Sequence, residues 1–297
     1  MLINRANIET AFTGFKASFN RGFEGAKPSY SRVAMTIPST SSSENYGWLG
    51  QIPKMREWLG DRIVNNLSAH SHTITNRKFE NTITVKREEF EDDQYGIFSP
   101  LFEEMGKGAK ELPDELVYAL LTLGFSSKCY DGQYFFDTDH PVKNANGELV
   151  SASNSDGGSG SPWFLLDGNR AIKPIIYQDR TKPQLTSLDN DNDENVFWRD
   201  EYVYGVRMRA NAGFGLWQLA YGSKQVLDAT NYAAARASMM SLRGDSGRLL
   251  GITPTLLVVG PALEEAAREL ILSQTRAAGE SNPWRDSVEL LVTPWVG

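Results

Sequence analysis

Cysteine is almost absent: Cys129 is the only one in 297 residues. That excludes an internal disulfide and any multi-cysteine zinc cluster, so packing has to hold the fold together. Histidine is nearly as scarce, with only His70, His72 and His140. No stretch approaches the roughly 18 consecutive apolar residues of a membrane span. The opening Met1-Leu2-Ile3-Asn4-Arg5 lacks the apolar core of a signal peptide, so the chain is expected to be made and used without translocation. A basic surplus is missing too: 30 Lys and Arg against 37 Asp and Glu leave a formal charge of −7. Wrapping nucleic acid by neutralising phosphates needs a strong basic surplus on one face, so any contact with DNA is expected to be weak and non-specific. No Gly-rich phosphate loop follows a strand, and no dinucleotide fingerprint is present.

What remains is an ordinary globular composition, 40% hydrophobic and 23% charged, which excludes global disorder. At roughly 150 residues per domain the length suggests one large or two smaller domains. Ile8, Phe12, Phe15, Phe19 and Phe23 follow one another at intervals of four, three, four and four, which puts five large apolar groups on one helical face. Residues 27–45 are rich in Ser, Thr and Pro without periodicity and read as an extended tether. The helix either packs on its own domain or reaches a neighbouring subunit; Pro28, Pro38 and the serines of 39–43 favour reach.

Residues 46–81 read as a protruding loop or hairpin. Its returning strand carries the period-two alternation of Thr82-Ile83 and Thr84-Val85 and ends near Lys86. Arg62, Arg77, Lys78, Lys86 and Arg87 make this stretch locally basic in an acidic chain. Phe98, Leu101, Phe102 and Met105 recur at helical spacing. Gly106, Gly108 and Pro113 then weaken or kink that helix, and Leu116, Leu120 and Leu123 resume it up to Gly124. One kinked helix or two consecutive ones are expected. The low-complexity stretch 151–161 reads as a mobile surface loop. The aromatic-rich segment 163–221 reads as strands separated by turns, with Val196-Phe197-Trp198 among them. In the last third, Tyr232, Ala235, Met239 and Leu242 stripe a helix capped by Asp228 or Thr230. Leu256-Leu257-Val258-Val259 is a buried strand, Pro261 opens a further helix, and 288–292 is a final strand, which together describe a compact α/β domain.

The search for reactive chemistry returns little. Gly244-Asp245-Ser246-Gly247 resembles the nucleophile segment of chymotrypsin-type proteases, but no strand-rich pattern surrounds a histidine base, and the residues are explained by a helix ending on a glycine turn. Asp189, Asp191 and Asp193 mimic half of a calcium loop. Glu194 stands where that loop needs glycine, so a solvated acidic loop is the reading preferred. His70 and His72 have no further ligand at metal spacing, and Cys129 has no neighbour in sequence that would activate it. No catalytic, cofactor-binding or metal-binding residue is assigned, and no enzymatic activity is expected.

A set of segments in order resembles the major head subunit family of Mu-like phages and prophages, over essentially the whole chain. They are Tyr46-Gly47-Trp48-Leu49-Gly50 with Glu57-Trp58, Phe90-Glu91-Asp92-Asp93, Phe102-Glu103-Glu104-Met105-Gly106 and Pro113-Asp114-Glu115-Leu116. Cys129-Tyr130-Asp131-Gly132-Gln133 with Phe135-Phe136-Asp137 and His140-Pro141, Lys173-Pro174, Gly213-Phe214-Gly215 with Trp217-Gln218, and Pro254-Thr255 with Val258-Val259 complete it. The resemblance implies an α+β tailed-phage major capsid fold of the Hong Kong 97 type. It divides the chain into an N-terminal arm (1–45), an extended loop (46–90), a spine-helix region (91–127), peripheral domain strands (128–222) and an axial domain (223–297). It also implies self-assembly into pentamers and hexamers of an icosahedral head in the virion, assembled in the bacterial host cytoplasm and enclosing double-stranded DNA. A separate scaffold or protease protein and a portal are the other expected partners. Phe12, Phe15, Phe19, Phe23, Trp48, Trp58, Arg77 and Lys78 are the candidate subunit-interface residues. An encapsulin-like compartment shell is the alternative, and a serine hydrolase using Ser246 a remote one.

Overall fold

The computed structural model describes residues 4–50, 72–92, 94–244, 247–276 and 279–297. Along the chain run α1 (Arg5–Gly25), β1 (Ala34–Pro38), β2 (Ser43–Asn45), β3 (Thr73–Thr75), β4 (Arg77–Lys86), α2 (Arg87–Glu91) and α3 (Ser99–Leu123). There follow β5 (His140–Lys143), β6 (Leu149–Ala152), β7 (Ser155–Gly158), β8 (Trp163–Leu166), β9 (Ile175–Leu188), α4 (Glu194–Arg199) and β10 (Glu201–Phe214). The chain closes with β11 (Ala220–Lys224), α5 (Ala229–Ser241), β12 (Leu256–Val259), α6 (Glu264–Ile271) and β13 (Glu289–Val292).

Two sheets carry the architecture. One has the order β1-β9-β10-β4, with β1 parallel to β9 and the other pairs antiparallel. The second has the order β13-β12-β8-β11-β7, and its central strands β8 and β12 are buried along their whole length. Strands buried on both faces need continuous apolar residues, which Trp163-Phe164-Leu165-Leu166 and Leu256-Leu257-Val258-Val259 supply. The expected division between peripheral strands and axial domain, at residue 222, falls inside β11. Residues 155–166 share a sheet with residues 256–292, so the division does not separate two packed units.

A large core gathers around the second sheet and α5, and a smaller one around α1, the first half of α3 and the far ends of β9 and β10. α1 forms because its apolar groups share one face and because Asn4 caps it, accepting from the Asn7 amide at 2.9 Å. It lies on its own α3. Ile8, Phe15 and Phe19 are buried there, and the Phe15 ring stacks on Phe102 with centroids 4.2 Å apart. Residues 27–45 are not a free tether either. The Asp114 carboxylate on α3 accepts from the Ser29 and Tyr30 amides at 2.9 and 2.7 Å, and β1 then pairs with β9.

Of the two forms expected for the region after Phe98, the structure takes the single helix: α3 runs for 25 residues with Pro113 inside it. Gly106 does not break it but admits α1: a Cβ there would lie 2.0 Å from the Phe19 carbonyl oxygen, and one at Gly22 would lie 1.9 Å from that of Glu103. Residues 151–161 are not all loop, since Ser155–Gly158 forms β7 beside β11 and Asn154 is buried. Val196-Phe197-Trp198 belongs to a short helix at the tip of the β9–β10 hairpin, where β9 has ended at Leu188 and Asp193 closes a turn from Asn190 and opens the helix.

Candidate functional site

The candidate interface residues do not form one site. Phe15 and Phe19 sit in the small core of their own subunit, while Phe12 and Phe23 are half-buried at its margin. Phe12 stacks on Tyr204 with centroids 5.8 Å apart, and the Lys110 ammonium lies 4.6 Å from the Phe23 ring centre. As surfaces offered to a neighbour, Phe15 and Phe19 are therefore corrected: glycines on both helices let the backbones touch, so the apolar stripe is spent at home. Trp48 packs edge-on against buried Tyr46, whose hydroxyl donates to Gln178 at 2.8 Å. Burial and the nearby Glu44 carboxylate push the Tyr46 phenol up to about 12. Arg77 and Lys78 are exposed at the start of β4. Trp58, His70 and Ser246 lie outside the described residues.

The densest polar constellation is one that sequence spacing did not assemble. The turn at 129–133 closes with the Cys129 amide donating to the Gln133 carbonyl, and Gly132 takes a φ of 91°, which a residue with a side chain rarely adopts. The turn aims Cys129 and Asp131 inward. There the Cys129 thiol donates to Asp131 Oδ1 at 3.0 Å, and His140 Nδ1 lies 2.7 Å from Asp131 Oδ2. His140, fully buried and stacked on Trp217 at 3.9 Å, reaches Asn154 Oδ1 through Nε2 at 3.2 Å. The Asn154 amide nitrogen donates in turn to the carbonyls of Phe135, Trp217 and Ala220.

Burial pushes the Cys129 thiol well above its usual range, and the Asp131 charge adds to that. Burial also opposes the charge on Asp131, but the hydrogen bonds from His140 and Cys129 outweigh it and hold this carboxyl below its ordinary value. A protonated, enclosed thiol is no nucleophile. The Cys, Asp and His atoms could in principle gather around a metal, within 4.8 Å of one another, but here they satisfy one another. The cluster works as a polar pin. It ties the turn after α3, β5, the β6–β7 link and the approach to β11 into one core. The only sequence signal for it is a Cys-x-Asp-Gly turn followed by a histidine, with nothing to bring Asn154 in.

The acidic loop before α4 is also used internally. Asp189 pairs with Arg5 at 3.0 Å, and Asp193 accepts from the Asn190 amide at 2.9 Å. An open hollow of about 690 Å³ lies against α6, lined among others by Glu264, Glu265, Arg268, Glu269 and Ser273. No helix among the described residues is long and apolar enough to cross a membrane.

Comparison with known proteins matches residues 8–296 to the family model described as Mu-like prophage major head subunit gpT. The chain is 39% identical to the major capsid protein of Escherichia phage Mu, over the whole of both chains. It is 43% identical to the Mu-like prophage FluMu major head subunit of Haemophilus influenzae, covering 91% of this chain and 90% of that one. Among solved structures, a chain of the procapsid of bacteriophage JBD30 superposes with a TM-score of 0.88 at 45% identity, covering 99% of this chain and 100% of the other.

Proposed function

The chain belongs to the Mu-like prophage major head subunit family and is a major capsid protein with the α+β tailed-phage capsid fold, and from that premise we propose that its work is mechanical: copies tile as pentamers and hexamers into a closed icosahedral head. The observation that carries this reading is the match to a chain of a procapsid across the full length of both chains. It covers the whole chain, not one module. The division into arm, extended loop, spine helix, peripheral strands and axial domain is part of the proposal, with α1 as an arm docked on its own spine helix α3.

Membership of the family suggests further partners, and we assign the shaping of the shell to a separate scaffold or protease protein and its opening to a portal. Assembly takes place in the host cytoplasm. The net charge of −7 suits a wall that encloses double-stranded DNA without trapping it, because like charges repel and only weak, non-specific contact remains. No catalytic role is assigned, since the one buried thiol is held protonated within a hydrogen-bonded pin.

Expression of the chain with its neighbouring head genes, followed by electron microscopy of the purified product, tests the reading. Closed particles of uniform size are expected. A chain that remains monomeric under every co-expression condition would overturn it.

A further inference from the structure

The sheet β1-β9-β10-β4 is electrically divided along its strands. At one end stand Arg77 and Lys78 on β4, Arg180 and Lys182 at the irregular register of β9, and Arg207 and Arg209 on β10. Lys78 is opposite Arg209, and Glu80 is opposite Arg207. The alternation that buries Met208 and Ala210 turns these four to the other face. Among the described residues none of the six cations has a carboxylate within 4.0 Å. The Nε atoms of Arg180 and Arg209 are enclosed without a hydrogen-bond partner.

At the other end the sign reverses. Residues 189–201 hold Asp189, Asp191, Asp193, Glu194, Asp200 and Glu201 against Arg199, with Lys86 of β4 standing opposite Glu201. Asp189 and Asp200 are paired with Arg5 and Arg87, but Asp191 and Glu194 are exposed, with no cation of the described residues within 4.0 Å. Between these carboxylates α4 presents Phe197 and Trp198, 71% and 77% exposed, their rings edge to face at 4.9 Å. The tip is braced: the Asn195 side-chain Nδ2 donates to the carbonyls of Leu188 and Glu201 at 3.0 and 2.7 Å. The eight residue steps of β10 from Glu201 to Arg209 set the two ends about 27 Å apart.

An acidic, aromatic tip and a cationic base at opposite ends of one sheet cannot meet within a copy. We propose that they meet between copies: the α4 tip of one subunit docks on the Lys78–Arg207–Arg209 base of the next. Phe197 and Trp198 then pack on the apolar stems of the cations. The contact is heterologous, the kind that closes rings when the rotation permits. It rests on the shell reading above, with charge complementarity as the reason the occupant is a second copy of this chain.

A charge-reversal cycle on the full-length chain tests it, using Lys78→Glu/Arg207→Glu, Asp191→Lys/Glu194→Lys and the four changes together. Lys78→Gln/Arg207→Gln serves as the milder form. Each reversed pair is expected to lower particle yield about tenfold or more, the four together to restore most of it, and the melting of the unassembled chain to stay as in wild type. Carbodiimide coupling of mixed light and heavy isotope-labelled chains is expected to join Lys78 or Lys182 of one copy to Asp191 or Glu194 of another. Wild-type yields in the reversed variants overturn the proposal. Loss without recovery in the combination overturns it as well, and is the outcome if the base faces DNA or a separate scaffold protein. If the wild-type chain forms no particles, the shell reading falls, and inter-copy coupling still decides the contact.

Discussion

Gly22 and Gly106 face each other's helices, and their missing side chains set how close α1 and α3 can come. A methyl group at Gly106 would meet the Phe19 carbonyl oxygen at 2.0 Å, and backbone cannot step aside as a side-chain end can. Gly106→Ala is expected to cost ~1–3 kcal/mol by overpacking. Gly14 is also helical but has nothing within 4 Å of its would-be Cβ, so Gly14→Ala should gain ~0.5–1 kcal/mol from the entropy of the unfolded chain. Thermal melts moving in opposite directions for the two alanines check the argument; a shared direction refutes it. Asp131 acts through charge instead. Its carboxyl sits below the ordinary 3.8, so its contribution to stability is complete above that value and is lost as pH falls through the lower folded value. Asp131→Asn is therefore expected to be less stable than wild type at neutral pH, with the gap narrowing below about pH 4. Urea unfolding from pH 7 down to pH 3 measures it, and a gap that stays constant with pH would remove the carboxylate from the account.

An apolar stripe tells that a helix is covered, not what covers it. Residues 8–23 repeat at helical spacing whether the partner is α3 of the same chain or a neighbouring subunit, so the element was legible and its docking was not. Only the pairing of Gly22 with Gly106, which becomes visible once α1 and α3 are side by side, settles it. Phe15 and Phe19 are 2% and 4% exposed in the subunit's own core. Phe15→Ala should cost the unassembled chain ~3–5 kcal/mol, Phe12→Ala clearly less, and Phe15→Asp/Phe19→Asp should yield no folded subunit. Circular dichroism of unassembled chain decides, and a double aspartate variant that melts like wild type would return α1 to the status of a detachable arm. Other elements show the same limit. The returning strand ends at Lys86, where its alternation placed it. Val196-Phe197-Trp198 misled because a connection closing a hairpin can hold β-forming residues in a six-residue helix with two rings in solvent. Residues 151–161 misled because low complexity hid Asn154, whose three carbonyl partners come from segments far away in sequence.

At the scale of the molecule, sequence order conceals how the second sheet is built. β8 pairs with β12 across nearly a hundred residues, Leu166 opposite Leu256, and no local pattern announces such a partner. The charge division of the other sheet is equally a product of topology, since the three basic pairs come from three strands. Two electrostatic effects then compete when copies approach. Each copy carries −7, which repels as a whole, while tip and base attract locally. The ranges differ: at physiological ionic strength charges farther apart than ~8 Å are largely screened, whereas groups in contact at ~4 Å are not. Net repulsion is therefore mostly gone at 0.15 M salt, and further salt should act on the contacts. Exposed pairs contribute only ~0–1 kcal/mol each, but every copy repeats them. Particle yield measured by light scattering is expected to fall as salt rises from about 0.15 M to about 1 M, where the screening length shrinks to ~3 Å. The Asp191→Lys/Glu194→Lys variant should show little of this response, having lost the attraction. A yield that rises with salt in the wild type would mean that repulsion between whole subunits outweighs the contact, and that the tip and base do not govern assembly.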